Sequence, residues 1–186
     1  MTDRIILASA SPRRRELLGI ITENFEVIPS DAEEVVPKSI SAEDTAEFLA
    51  RIKAKSVGEK YPESTVIGAD TCVIIENRIL GKPKDKTDAR QMIKLLSGRT
   101  HKVITGCAIA KGNKMTAFSV ETEVEFYTLS DSEIEDYINT FEPYDKAGSY
   151  GIQGKASLFV KGIKGDYFNV VGLPIAELNR KLKARI

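Results

Sequence analysis

The chain has 186 residues, with 27 Lys and Arg against 27 Asp and Glu, and is 42% hydrophobic and 29% charged. That length and balance predict one folded domain over residues 1–186 and exclude a disordered or collagen-like chain. Zero net charge argues against a nucleic-acid binder, and no apolar run approaches the roughly 18 residues of a membrane span. The apolar start, Ile5-Ile6-Leu7-Ala8, is too short for a secretory signal. Cys72 and Cys107 sit in separate apolar runs and form no C-x-x-C pair, which predicts reduced core thiols in a cytoplasmic protein. His101 is the only histidine, so any metal here needs oxygen ligands.

The pattern opens with a strand over Arg4 to Ala8 and a helix capped by Ser11, with Pro12 at its favoured first position and Leu17 and Leu18 as anchors. A second strand falls near Phe25 to Ile28. Ser41 to Asp44 resembles a capping box opening a helix that places Phe48, Leu49, Ile52 and Val57 on one face, with Pro62 beyond its end. Strands are predicted over Thr65 to Gly68 and Thr71 to Glu76, broken at Asp70, then a turn at Asn77-Arg78. A helix covers Asp88 to Leu96 with Gly98 as its cap. Strands Lys102 to Ala110 and Met115 to Phe126 flank a turn at Lys111 to Lys114.

In the second of these, Val120, Thr122, Val124 and Phe126 alternate with Glu121, Glu123 and Glu125, the signature of a half-buried strand with a solvated acidic face. Ser130-Asp131-Ser132-Glu133 is a full capping box, opening a helix that runs to near Phe141. Lys146 to Gly154 reads as a glycine-rich loop. Strands near Leu158 to Val160 and Phe168 to Val171 precede a last helix opened by Pro174. Strands alternate with helices but also join by short turns, which indicates a mixed α/β fold, a twisted sheet with flanking helices.

Three segments carry candidate chemistry. In the first, Ser9-Ala10-Ser11 leads into a helix N-terminus, where free N–H groups and the dipole favour an anion. Arg13, Arg14 and Arg15 crowd that positive end, which is unfavourable unless an anion such as phosphate is bound; the plain alternative is three solvated arginines. In the second, Asp70 interrupts an apolar stretch, either as a base or metal ligand or as a turn residue bonded to nearby backbone. In the third, Asp145 to Gly154, three glycines admit a ligand; Tyr150 offers a stacking face and Gln153 offers a donor and an acceptor to a base edge. The alternative there is a structural glycine loop. Lys82, between Gly81 and Pro83, is a point charge for phosphate or a surface lysine, and spacing does not separate Lys53 from Lys55. Glu33 and Glu34 read by default as solvated loop carboxylates.

Taken in order, Leu7-Ala8-Ser9-Ala10-Ser11-Pro12-Arg13-Arg14, Gly68-Ala69-Asp70-Thr71, Gly81-Lys82-Pro83, Leu96-Ser97-Gly98-Arg99, Thr105-Gly106, Asp145 to Gly154, Gly165-Asp166-Tyr167 and Val171-Gly172-Leu173-Pro174 resemble the motif series of the Maf family of nucleoside triphosphate pyrophosphatases. Each motif is weak alone; the ordered set spans nearly the whole chain. The resemblance implies an α/β fold like that of inosine triphosphate pyrophosphatases, with a central cleft. It implies hydrolysis of a nucleoside triphosphate to monophosphate and pyrophosphate with a divalent cation, Mg2+ or Mn2+. It assigns Asp70 as the catalytic acid that accepts a proton, and Ser9, Arg13, Arg14, Lys53 and Lys82 to the phosphate site. Glu33 and Asp70 become the metal-linked carboxylates. Arg13, Thr71 and Gln153 match positions tied to base choice in the dTTP/UTP branch; the 7-methyl-GTP branch carries Glu where Gln153 stands.

With that resemblance the expected partner is a nucleoside triphosphate, with no nucleic acid and no membrane, and a homodimer is compatible with the family. The competing reading is a nucleotide-sensing regulator of cell division and septum formation that acts by binding. A weaker one is a nucleic-acid domain built on Arg13 to Arg15, against which the neutral charge counts.

Overall fold

A computed structural model describes residues 4–184. Seven strands form one mixed sheet: β1 (Ile5–Leu7), β2 (Phe25–Val27), β3 (Thr65–Ile75), β4 (Arg78–Leu80), β5 (Thr100–Lys111), β6 (Lys114–Phe126) and β7 (Val160–Lys164). Their order is β2-β1-β3-β5-β6-β7, with β4 paired to β3. β1 runs parallel to β2 and β3, in register Ile5 with Phe25 and Ile5 with Thr65. β3–β4 and β6–β7 are antiparallel. The helices are α1 (Pro12–Ile21), α2 (Thr45–Lys60), α3 (Lys86–Leu96), α4 (Asp131–Ile138), α5 (Tyr167–Val171) and α6 (Ile175–Lys183). The mixed α/β class expected from the alternation of elements is present.

By contacts the described chain divides into two compact units. The first holds residues up to Asp70, Thr105–Val120, and those from Gly172 onward. Its core joins Ile6, Ala8 and Val66 of the strand region to Ala50, Ala54 and Val57 of α2. Two glycines let α2 lie against the strands: a Cβ on Gly68 would stand 2.3 Å from the Ala50 carbonyl oxygen, and one on Gly106 2.3 Å from Ala46 backbone carbon. The second unit is Thr71–Ile104 with Glu121–Val171. Its core joins Ile93 and Leu96 of α3 and Ile134 and Ile138 of α4 to Val103, Val124 and Phe126.

Several expected boundaries are corrected. β3 is one unbroken strand through Asp70. An apolar run interrupted by a carboxylate reads as two strands, but the Asp70 side chain has an ammonium partner from α2, so the backbone pairing continues. Phe168 to Val171 is helical, not extended: the Asp166 carboxylate accepts the Phe168 N–H at 2.8 Å and caps a short helix. Leu158 lies in a 3-10 turn over Lys155–Phe159, and the strand begins only at Val160. α3 starts at Lys86, capped by Asp85, earlier than Asp88. α4 stops at Ile138, short of Phe141. Ser41 Oγ accepts the Asp44 N–H at 3.1 Å and donates to its carboxylate, so this pair closes the turn before α2. The Ser130–Glu133 capping box forms in full, and Ser11 caps α1 with Pro12 in place.

Candidate active site

In the first unit β1 delivers Ser9 and Ser11 to the start of α1. Ser11 Oγ accepts the Arg14 N–H, and the first turn carries no acidic side chain. Arg14 turns inward. Its Nε donates to the Gly172 carbonyl at 2.9 Å, and its Nη1 to the Ala69 carbonyl at 2.9 Å and to Ser9 Oγ at 3.2 Å. The guanidinium thereby ties together the β1–α1 loop, the residue before Asp70 and the segment before α6. Burial lowers its pKa from the ordinary value, and the Asp70 carboxylate opposes that shift. Arg13 is half-buried and Arg15 exposed on the same turn.

Lys53 of α2 meets Asp70 of β3, Nζ to Oδ1 at 2.6 Å, with side-chain exposures of only 13% and 16%. The same ammonium lies 3.1 Å from Glu34 Oε1. Lys55, two residues along and on the opposite side of the helix, faces outward and pairs with Glu59, so the helix face separates two lysines that spacing left equivalent. Ser9 and Arg14 are thus bonded to each other and Lys53 to Asp70, and the Arg14 bond to the Ala69 carbonyl places the two pairs next to one another. Glu33 is exposed, and it is the neighbouring Glu34 that reaches Lys53.

The second unit holds Thr71, Lys82 and Gln153. Thr71 is half-buried; Lys82 and Gln153 are exposed. The carbonyl of Gly81, beside Lys82, accepts the Gly148 N–H at 3.0 Å. Gly148 has φ 67° and a Cβ there would meet Val73 Cγ1 at 2.9 Å, so this contact requires glycine. Tyr150 is not available to stack on a base. It is 5% exposed, and its hydroxyl bonds His101 Nε2 at 2.7 Å in an edge-to-face cluster with Phe126. Burial lowers His101 to a pKa of about 4. The acids of β6 pair outward, Glu121 with Lys102, Glu123 with Lys164 and Glu125 with Lys161, as a solvated strand face does.

The chain matches the family model described as Maf-like protein over residues 4–185. It belongs to the Maf family. It is 53% identical over 180 residues to a dTTP/UTP pyrophosphatase of Bacillus cytotoxicus, covering 97% of this chain and 94% of that one. It is 49% identical to a dTTP/UTP pyrophosphatase of a Geobacillus species, covering 97% of each. Among solved structures it resembles the Staphylococcus aureus Ham1 protein, with TM-score 0.59 at 14% identity over 99% of this chain and all of that one. A HAM1 protein of Coxiella burnetii gives 0.54 at 16%, over 98% of this chain and 100% of that one. At such identities the likeness is one of fold.

Two features of this Maf chain escaped the sequence. Glu34 carries no local signal that separates it from Glu33. Glu142 sits just before the glycine loop, where its adjacency to Asp145–Gly154 was the available hint. Among the described residues no group of three or more His, Cys, Asp or Glu side chains is placed to hold a metal. Asp70 and Glu34 nevertheless converge on one ammonium. Two carboxylates suit a hard cation whose remaining positions are filled by substrate oxygens and water, the usual arrangement for Mg2+.

Proposed function

We propose that this Maf-family protein hydrolyses nucleoside triphosphates, dTTP and UTP foremost, to the monophosphate and pyrophosphate. The names of its relatives support the activity. The observation that carries the chemistry is the Lys53–Asp70 pair, largely sheltered beside the Arg14 guanidinium. In this reading Asp70 accepts a proton from the attacking water as its oxygen bonds the α-phosphorus, and the bond to the bridging α–β oxygen breaks to release pyrophosphate. Lys53 holds the Asp70 carboxylate in place until the triphosphate arrives, then shares its charge with the phosphate oxygens. Arg13 and the α1 N-terminus receive phosphate oxygens, Ser9 and Arg14 fix that loop, and Lys82 adds a point charge. Asp70 with Glu34 or Glu33 would hold a divalent cation, Mg2+ or Mn2+, which would supply charge neutralisation on the triphosphate. Thr71, Arg13 and Gln153 discriminate the base, Gln153 through its paired amide donor and acceptor.

The same proposal makes a nucleotide the partner, with neither nucleic acid nor membrane engaged, and allows a homodimer. Neutral net charge supports the reading without nucleic acid; among the described residues no helix is long and apolar enough to cross a membrane. Two buried cysteines without a disulfide support a cytoplasmic setting.

Pyrophosphate release from a nucleotide panel, with Mg2+ or Mn2+ and with chelator, tests the proposal. Asp70→Asn is expected to retain nucleotide binding and lose about 100-fold or more in turnover. Unchanged turnover would remove Asp70 from the reaction. Nucleotide binding without turnover in the unaltered protein would favour the sensing regulator instead.

A further inference from the structure

Gln153 stands at the exposed tip of a segment held on both sides. On one side Tyr150 and Ile152 are 5% and 8% exposed, and Tyr150 is bonded to His101. On the other, the backbone continues through Gly154 at φ 91° into the 3-10 turn Lys155–Phe159. The Glu142 carboxylate closes that side. Its Oε2 accepts the Lys155 N–H at 2.9 Å, and its Oε1 accepts the Ala156 N–H at 3.2 Å and the Tyr137 hydroxyl at 3.4 Å. Glu142 is itself fixed: its N–H donates to Thr140 Oγ1 and its carbonyl accepts Lys146 Nζ at 2.7 Å. Gly154 has φ 91°, a conformation side chains rarely adopt, and a Cβ there would lie 2.7 Å from the Glu142 carboxylate and push it off its bonds.

We infer that Glu142 is a positioning residue for base selection, its carboxylate clamping the backbone N–H groups of Lys155 and Ala156, just beyond Gly154, and so holding the Gln153 amide where it reads the base. The inference rests on the proposed role of Gln153. Two charge-assisted backbone bonds set the direction in which residue 153 leaves the chain. Without them the tip keeps its Tyr150 anchor but swings about Gly154, and an amide displaced by about 1 Å loses its aligned bonds to a base edge. A bystander in the fold would affect stability alone; a clamp affects which base is accepted.

The test is the ratio of kcat/KM for dTTP or UTP to that for CTP and the purine triphosphates. It is measured for the unaltered protein, Glu142→Ala, Glu142→Gln and Gln153→Ala, with Ile109→Val, a fully buried residue of the other compact unit, as a core variant that lowers the melting temperature. Glu142→Ala is expected to reduce the ratio about tenfold, toward the value of Gln153→Ala. Glu142→Gln, which keeps one good acceptor, should fall between, and Ile109→Val should leave the ratio unchanged. A ratio collapsed by Gln153→Ala but unmoved by both Glu142 variants overturns the inference and leaves the role of Gln153 standing. A ratio unmoved by Gln153→Ala, or no pyrimidine preference in the unaltered protein, overturns that role and the inference with it. Should Glu142→Ala fail to fold, Glu142→Gln decides. Amide exchange adds a second measure: Lys155 and Ala156 N–H groups unprotected in the unaltered protein would also overturn the clamp.

Discussion

Arg14 shows how one side chain can serve a site by holding it. Its fork satisfies two carbonyls and a hydroxyl from three separate segments, a geometry an ammonium cannot reproduce. Arg14→Lys should therefore cost about 2–3 kcal/mol of stability, since it strands backbone acceptors, and denaturant unfolding measures that loss. A cost near zero would mean the fork is dispensable. His101 gives a pH signature. Burial lowers its pKa from 6.5 to about 4, so the folded protein disfavours the imidazolium. Between those values the unfolded chain binds the extra proton, and stability falls as pH falls. The full stability is present above about pH 6.5, and about 3 kcal/mol of it is lost by pH 4. His101→Gln should flatten that part of the stability–pH curve; an unchanged slope would assign it to other groups.

At the scale of elements, α2 decides the site. Gly68 and Gly106 remove the side chains that would keep it off the strands. Only at that distance does Lys53 reach Asp70 at 2.6 Å while Lys55 remains in solvent. Gly68→Ala forces a Cβ against the Ala50 carbonyl and should destabilise by about 1–3 kcal/mol. It should also lower turnover more than the stability loss explains, because α2 must shift and Lys53 with it. Full turnover at a temperature where the variant remains folded would show that the pair tolerates the shift. The acidic run in β6 carries no such role: each of its three glutamates is matched by a surface lysine of the same unit. Exposed pairs of that kind add little stability.

For the whole molecule, substrate binding is a stability effect as well as a catalytic one. A non-hydrolysable dTTP analogue with Mg2+ at 100 times its Kd should add about 2.7 kcal/mol. For a chain of this size that raises the melting temperature by roughly 5–10 °C. A chelator should remove most of the shift, because the triphosphate charge would then face Asp70 and Glu34 without neutralisation. A shift indifferent to chelator would separate binding from the metal. Cys72 and Cys107 are buried, and burial raises the Cys107 thiol to about 12, so oxidation should leave folding and binding unaffected.

The sequence by itself determined what depends on local chemistry and on ordered motifs. The capped starts of α1 and α4, the outward acids of β6, the α/β class and the family all follow from residues near one another in the chain. Asp70 and the arginine turn were visible as anomalies, a charge in an apolar run and cations at a positive helix end. Tertiary structure alone decided what needs a partner distant in sequence. It kept β3 continuous through Asp70 because Lys53 supplies the countercharge 17 residues earlier. It set the short helix that Asp166 caps against the strands, with Asn169 buried and bonded to Val103 and Thr122. It sent Tyr150 into the core, brought Glu34 rather than Glu33 to Lys53, and set Glu142 beneath the loop of Gln153. A side chain's direction is fixed by what it packs against and bonds to, and for these residues those neighbours lie outside any local window.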